Sequence, residues 1–397
     1  MAVPRIMVVD DEPDLQMLIL QKFRKQIQND VYEFVFAENG EEAMNQINGS
    51  NDVTLILSDI NMPKMDGLTL LQRIQEQNDP ALKTVIVSAY GDMENIRTAM
   101  NRGAFDFVTK PIDFNDLHLT IEKSIKEVTT IREALEMRKN FLAVKSDLST
   151  ANRIQQKILP QTFPAFPDRN EFSIYAEMHP AKDVGGDFYD FFLIDDTHLG
   201  FVIGDVSGKG ISAAIYMAVA RTMIKGIASQ VLDPAECLSK VNSMLIPESD
   251  LSTFVTVFYG VLDIQSGIIR YCNGGHNPPY FIKNHSIVEQ VENTSGILLG
   301  KIEPFEFETK QIQCTPGDRI ILYTDGVTEA VNETEEMYEE DRLIEYLKMH
   351  QPGDIDKLVR GIVADVLKYM GKAIQSDDIT LLTLEYRGPN GNNKDIG

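Results

Sequence analysis

The chain has 397 residues, is 43% hydrophobic and carries a formal net charge of −23 at pH 7. That length exceeds what one hydrophobic core serves, so two or three globular domains are expected. The charge argues against nonspecific nucleic-acid binding and against a surface that seeks anionic lipid, while three scattered cysteines, Cys237, Cys272 and Cys314, without a C-x-x-C pair, fit reduced thiols in a cytoplasmic protein.

The N-terminus "MAVPRIMVVDDEPD" reaches acid too early for a signal peptide, and no uninterrupted apolar run approaches the roughly 18 residues that span a bilayer. Over residues 1 to about 112, short apolar runs ("RIMVV", "EFVFA", "TLILS", "TVIVS", "FDFVT") alternate with amphipathic stretches such as "LQMLILQKFRKQI" and "MENIRTAMNRG". Five strands separated by helices predict a parallel sheet with helices on both faces.

The segment that follows opens at Asp113, a helix cap, and stops at Pro160. Between them lie about 45 residues free of Pro and Gly, roughly 68 Å of helix at 1.5 Å per residue. Leu117, Ile121, Ile125, Val128, Ile131, Leu135, Leu142 and Leu148 recur at threes, fours and near-multiples of seven, a seam interrupted by Arg138 and Lys145. The expectation is a long helix forming a two-stranded coiled coil; a single helix packed on its own domains is the alternative. Pro160, Pro164 and Pro167 mark a boundary. Strand-rich sequence then runs through "FSIYAEM", "LGFVIGD", "STFVTVFYGVLD", "IIRYCNGG", "DRIILYTDG" and "ITLLTLEY", with helical segments near 211–228, 233–245 and 354–370. This reads as α+β with antiparallel sheets. The tail 388–397 is polar and is expected to be disordered.

In the first region, Asp10 and Asp11 follow the first strand and Asp59 follows the third. Carboxyl ends of central strands in such a sheet line one crevice. Two unit charges about 4 Å apart repel by roughly 4 kcal/mol at an effective dielectric of 20, so three acids there call for a cation, and an all-oxygen set suits Mg²⁺. Ser88 and Lys110 end the fourth and fifth strands. Acids, a divalent ion, a hydroxyl and an ammonium can together place a phosphoryl group on a carboxylate. These motifs, in this order over about residues 4–125, resemble the response-regulator receiver domain. The resemblance implies a flavodoxin-like fold with Asp59 as phosphoacceptor, Mg²⁺ held by Asp10, Asp11, Asp59 and the Asn61 carbonyl, and Ser88 and Lys110 on the phosphoryl oxygens. It also implies a partner sensor histidine kinase. Phe107 stands where the family often has a switching Tyr; the ring is kept and the hydroxyl lost.

In the second region, "LGFVIGDVSGKG" looks at first like a phosphate loop. It fails the G-x-x-x-x-G-K-[ST] spacing, because Ile203 stands five residues before Gly208 and Gly210 follows Lys209. Its Asp205 instead joins Asp187 in "GGDFYDF", Asp325 in "YTDGVTEA" and Asp377 and Asp378 in "SDDIT", all at strand ends. Gathered in one crevice they need cations, and glycines let backbone approach them. Two divalent ions about 3.5–4 Å apart activate water and clamp a phosphoryl group. "IQQKILP", "GGDFYDF", "GDVSGKG", "GGHNPP", "YTDGVTEA" and "SDDIT", from about Gln155 to Tyr386, resemble the PPM-type serine/threonine phosphatases and within them the sporulation stage II protein E type. The resemblance implies a β-sandwich flanked by helices with two Mn²⁺ or Mg²⁺. Asp205 would bridge both, helped by the Val206 carbonyl; Asp187 would bind one ion, and Asp325 and Asp377 the other. Asp378 ranks below Asp377, since relatives often have Asn there. Glu339 stands where relatives commonly have Gly, which puts the adjacent turn in doubt.

His276 reads as a turn residue before a proton donor. Lys182, Lys209 and Arg221 read as solvated or packed before phosphoryl contacts, and Asp183 and Asp190 as flanking the site. The expected layout is a receiver at 1–125, a helical linker at 126–160, a phosphatase at 161–387 and a tail at 388–397. The expected activity is a phosphorylation-controlled, metal-dependent phosphatase, dimeric through its linker. Its substrate would be a phosphoserine or phosphothreonine protein, by resemblance an anti-sigma-factor antagonist. A catalytically weak module that sequesters a regulatory partner is the alternative. A transcription-factor output lacks a basic recognition helix.

Overall fold

The computed structural model describes residues 3–49, 52–89, 91–248, 253–283, 287–350 and 353–391. It divides into two compact units, Met1–Val144 and Lys145–Gly397. Beyond Gly391 the expected disordered tail lies outside the described residues.

The first unit runs β1 (Arg5–Val9), α1 (Pro13–Lys22), α2 (Arg24–Gln28), β2 (Glu33–Ala37), α3 (Gly40–Gly49), β3 (Val53–Asp59), α4 (Gly67–Glu76), β4 (Lys83–Ala89), α5 (Met93–Asn101), β5 (Asp106–Lys110) and the start of α6 (Phe114–Ile158). The strands form one parallel sheet in the order β2-β1-β3-β4-β5. Alternate residues of β1 feed two cores. Ile6 and Val8 pack with Leu15 and Ile19 of α1 and Leu117 and Ile121 of α6. Met7 and Val9 pack with Ala43 and Ile47 of α3 and Leu70 and Ile74 of α4. Each such side chain, fully buried, contributes about 1.5–3 kcal/mol. The stretch 15–27, which patterns as one helix, is broken at Phe23. That residue leaves helical geometry and buries its ring against Tyr32, Phe34 and His118.

Helix α6 is unbroken over 45 residues. Its start is capped as expected, with Asp113 Oδ1 accepting from the Asn115 N–H at 2.8 Å. Its heptad stripe changes use along its length. Ile121 and Val128 are buried in the first unit, whereas Leu135 and Leu142, at the same seven-residue spacing, are 47% and 55% exposed beside exposed Met137, Phe141 and Val144.

The second unit continues with β6 (Phe172–His179), β7 (Phe188–Leu193), β8 (His198–Val206), α7 (Ile211–Ala228), α8 (Pro234–Leu245), β9 (Val255–Asp263), β10 (Ile268–Gly274), β11 (Tyr280–Lys283), β12 (Ile287–Gln290), β13 (Lys310–Gln313), β14 (Arg319–Tyr323), α9 (Asp325–Thr328), α10 (Glu339–Met349), α11 (Ile355–Met370) and β15 (Ile379–Tyr386). Two antiparallel five-stranded sheets, β13-β10-β9-β8-β7 and β12-β11-β14-β15-β6, face each other. Phe188, Phe201 and Phe258 of one share a core with Ile174, Ile320, Leu322, Leu382 and Leu384 of the other. α7 and α8 add Met217, Ile224, Leu238 and Val241 to that core, and α10 and α11 cover the outer face of the second sheet through Leu343, Val359, Ile362 and Val366. The result is an α/β/β/α sandwich. Its inner strands, β15 above all, are buried on both faces.

α7 is not an uninterrupted apolar run, since Arg221 and Lys225 lie within it, yet over 18 residues its mean hydropathy of 1.3 makes it long and apolar enough to cross a bilayer. It serves as a core helix: Ala213, Met217, Ala220 and Ile224 are buried, and Arg221 pairs at 2.7 Å with the fully buried Asp190.

Candidate functional site

In the first unit the parallel register sets the ends of β1, β3, β4 and β5 side by side, pairing Val9 with Ser58, Asp59 with Val87 and Ala89 with Lys110. Asp10, Asp11 and Asp59 each place a carboxylate oxygen within 4.8 Å of the others. Lys110 Nζ lies 2.8 Å from Asp59 Oδ2 and 3.0 Å from Asp10 Oδ2, with Glu12 at 3.5 Å. Burial pushes the Asp10 carboxyl above the usual carboxylate range. Burial also works against the Lys110 charge, but its hydrogen bonds to Asp59 and Asp10 outweigh this and raise its pKa. Ser88 is buried, and among the described residues its Oγ has no hydrogen-bond partner. An orphan hydroxyl next to an acid triad is spare capacity for an incoming oxygen. Asn61 is exposed just past Asp59, and Phe107 sits within β5 with 37% of its surface exposed. The oxygen-only donor set fits Mg²⁺.

In the second unit the two sheets each bring two acids to the same end of the sandwich. Asp187 precedes β7 and Asp205 lies near the end of β8, whereas Asp325 follows β14 and Asp377 precedes β15. Asp187 is 1% exposed and reaches across the sandwich: its Oδ2 accepts from Thr324 Oγ1 at 2.7 Å and Thr380 Oγ1 at 2.5 Å. Burial and then the charge of Asp205 hold the Asp187 carboxyl well above its ordinary range. Burial, then Asp325, pushes Asp205 up to about 7. Burial, then Asp377, pushes Asp325 up to about 6. Asp377 is answered by Lys209, whose Nζ lies 2.8 Å from its Oδ2. Among the described residues the only acid triad within 4.8 Å is that of the first unit, so the four acids here ring a wider space. Buried carboxylates that oppose one another's ionisation fit hard divalent cations.

The glycines before Asp187 answer to sterics. A Cβ on Gly185 would lie 2.1 Å from Asp378 Oδ2, and one on Gly186 would lie 2.7 Å from the Val206 carbonyl oxygen, so the loop runs flush against both. Asp378 caps this loop. Its Oδ1 accepts from the Ala181 N–H at 2.8 Å, and its Oδ2 from the Gly186 N–H at 2.8 Å and the Asp187 N–H at 3.4 Å. Two features have roles that the sequence motifs do not reveal: the Thr324 and Thr380 hydroxyls on Asp187, and Gln155 against Gly185. All three residues lie inside motifs, Gln155 in "IQQKILP", Thr324 in "YTDGVTEA" and Thr380 in "SDDIT", but spacing alone assigns none of them a role.

The weaker candidates separate. Arg221 and Lys225 pair with Asp190 at 2.7 and 3.3 Å, and Lys209 is engaged by Asp377. His276 is buried, and burial lowers its pKa to about 4. The neutral ring donates from Nε2 to the Tyr323 carbonyl at 3.1 Å and accepts at Nδ1 from Thr256 Oγ1 at 3.0 Å. Its backbone closes a turn with Asn273.

Residues 6–122 match the response regulator receiver domain, and residues 195–387 match stage II sporulation protein E (SpoIIE). Protein IcfG of Synechocystis sp. (strain ATCC 27184 / PCC 6803 / Kazusa) is 29% identical over 265 residues, covering 60% of this chain and 41% of IcfG. The chain therefore spans about two-fifths of that relative's length. Phosphoserine phosphatase RsbU of Bacillus subtilis (strain 168) is 27% identical over 271 residues, covering 68% of this chain and 79% of RsbU. The SiaA-PP2C domain of Pseudomonas aeruginosa, 21% identical, superposes with a TM-score of 0.56 over 62% of this chain and 98% of that domain, and so shares the fold.

Proposed function

We propose that this chain, which joins a response-regulator receiver domain to a PPM phosphatase domain of the SpoIIE type, is a cytoplasmic two-component regulator whose output is metal-dependent removal of phosphate from a phosphoserine or phosphothreonine protein. The observation that carries the reading is the gathering of Asp187, buried, with Asp205, Asp325 and Asp377, half-buried, at one end of the sandwich, where burial and neighbouring carboxylates raise the first three and a divalent cation would relieve them. Mn²⁺ or Mg²⁺ held there would activate water and neutralise phosphoryl oxygens. Asp205 would contact both ions, Asp187 one, and Asp325 and Asp377 the other, with the Val206 carbonyl alongside. Thr324 and Thr380 fix the Asp187 rotamer, and Lys209 orients Asp377.

At the other site, Asp59 would take the phosphoryl group from a histidine kinase: the P–N bond of the donor breaks as a P–O bond to the Asp59 carboxylate forms. Asp10, Asp11 and the Asn61 carbonyl would hold Mg²⁺. Lys110 and the free hydroxyl of Ser88 would meet the phosphoryl oxygens, and Phe107 would move with them. A phosphoryl group adds about −1.5 to −2 of charge. Swinging a two-state switch from 1:99 to 99:1 takes about 5.5 kcal/mol. Pairing of two copies through the exposed α6 stripe, where each buried Leu contributes about 1.5–3 kcal/mol, is of the right size to supply it. RsbU is named a phosphoserine phosphatase. The resemblance to the stage II protein E type favours an anti-sigma-factor antagonist as the substrate here.

The test is phosphate release from an aryl phosphate and from a phosphoserine peptide by the full chain, titrated with Mn²⁺, with and without acetyl phosphate. Saturable Mn²⁺-dependent turnover that acetyl phosphate changes is expected. No turnover at saturating Mn²⁺ would leave the sequestering module as the reading.

A further inference from the structure

The last turns of α6 reach the loop that carries Asp187. Gln155 is 6% exposed, and both polar atoms of its side chain are used on one residue. Its Nε2 donates to the Gly185 carbonyl at 2.6 Å, and its Oε1 accepts from the Gly185 N–H at 3.1 Å. A carboxamide paired to both groups of one residue fixes that backbone in position and in orientation, as a neighbouring strand would. One turn earlier, Asn152 Nδ2 donates to the Asp183 carbonyl. From the opposite side Asp378 accepts from the Gly186 N–H. The loop 183–187 is thus held between α6 and the residues leading into β15. Its backbone lies against the Val206 carbonyl, and the Asp187 carboxylate is two residues from the Gln155 grip.

We propose that Gln155 is a positioning residue for the divalent-cation site: through Gly185 it sets Asp187 and the Gly186 backbone, so that metal affinity depends on how α6 is seated. The inference rests on reading the second domain as a metal-dependent phosphatase. α6 is one helix from Phe114 to Ile158, so the linker itself ends on the metal loop. Rotation of the helix by one residue, ~100°, would withdraw the carboxamide from Gly185. Gln155 would thereby couple the seating of the linker to the occupancy of the phosphatase site.

The experiment uses the full chain and its variants Gln155→Met, which keeps volume and removes both hydrogen bonds, and Gln155→Glu, which keeps only the acceptor for the Gly185 N–H. Mn²⁺ binding is measured calorimetrically, alongside the Mn²⁺ half-saturation of aryl phosphate hydrolysis and the Tm of the metal-free protein. Partners that orient a metal ligand are worth 10–100-fold in affinity. Gln155→Met is expected to raise the Mn²⁺ Kd and the half-saturation by about that factor, with kcat at saturating Mn²⁺ near that of the parent. Gln155→Glu should weaken binding in the same direction. Should the Met variant not fold, the Glu variant decides. A lower kcat with unchanged Mn²⁺ half-saturation would mark a merely structural role and overturn the proposal, as would parental affinity in the folded variants. If the parent itself neither binds Mn²⁺ nor hydrolyses phosphate, the functional reading falls; tight binding by the parent with indifferent variants overturns the role of Gln155 alone.

Discussion

In the receiver, Lys110 sets its ammonium 2.8 Å from Asp59 and 3.0 Å from Asp10. In the second domain, Lys209 reaches Asp377 at 2.8 Å, and among the described residues no Lys or Arg forms an ion pair with Asp187, Asp205 or Asp325, each of which burial and a neighbouring carboxylate push upward. The first cluster carries a counter-charge of its own, so it can stand with or without its ion and be altered by one phosphoryl group. The second leaves most of its charge to be balanced from solution. On the proposed reading, the first site keeps its compensating cation within the chain, as the Lys110 ammonium, and the second would take its own from solution.

The largest expected effect breaks or upholds that contrast directly. Asp205→Asn should lower Mn²⁺-dependent hydrolysis by more than about 100-fold, the upper end for a residue that only supports a ligand. In the metal-free protein the same change should raise Tm, because one of the opposed carboxylates, half-buried among the others, is gone; each kcal/mol is worth about 2–4 °C in a domain of this size. Asp59→Asn should do the reverse on both counts. Hydrolysis without phosphodonor should persist, the response to acetyl phosphate should vanish, and Tm should hold or fall because Lys110 loses a partner. Metal-free melting curves and phosphate release on the same two samples check all five statements. An Asp205→Asn protein that is less stable than its parent without metal would show that the acids are compensated in a way the geometry does not contain.

Much of this contrast is legible in the sequence, and its limits are physical. The receiver strands declare themselves because β3 and β4 are buried on both faces and read as unbroken apolar runs. The 114–158 helix is announced by its cap, its stop and the absence of Gly and Pro. By contrast β13, "KQIQ", and β12, "IVEQ", are short, largely solvent-facing edge strands with almost no apolar signal. The acids stand in motifs, so each could be named. Which of Asp377 and Asp378 faces solvent and which caps a loop is decided by backbone N–H groups roughly 190 residues away in the chain. The use of Gln155 and of Thr324 and Thr380 depends on the same long-range closure. A motif can mark such a position, but only the closed sandwich gives it a partner.

A second prediction sharpens the contrast through His276, the one buried imidazole among the described residues. His276 has a folded pKa near 4, against about 6.5 in an unfolded chain, because burial disfavours its charge. Between these values the unfolded state binds more protons, so the His276 contribution to stability is complete above pH 6.5 and is lost as pH falls towards 4. The elevated acids act with the opposite sign in the metal-free protein, so the raw pH profile mixes the two. The difference between the parent and His276→Asn isolates the histidine. That difference should fall by about 3 kcal/mol from pH 7 to pH 4, at 1.36 kcal/mol per pKa unit. A difference independent of pH would mean that the ring is charged, or reached by water, in the folded state.

The smallest expected effect concerns Glu339, where the resemblance leads one to expect glycine and the backbone adopts a conformation that favours glycine. Glu339 opens α10 with φ of 63°, the left-handed conformation that costs a side-chain-bearing residue about 1–2 kcal/mol and glycine almost nothing. Its carboxylate also lies at a helix N-terminus, where a negative charge contributes about 0.3–1 kcal/mol. Comparison with the parent would therefore mix strain relief with lost charge. Glu339→Gly and Glu339→Ala lose the same charge, but alanine retains the strained conformation. Glycine also gains more freedom in the unfolded chain, which offsets about 0.4–1 kcal/mol. Glu339→Gly should therefore be the more stable of the two by about 0.5–1 kcal/mol in denaturant titration, with Mn²⁺-dependent hydrolysis equal in both. Equal stability would place the cost of the turn elsewhere, and unequal hydrolysis would extend the catalytic surface to α10.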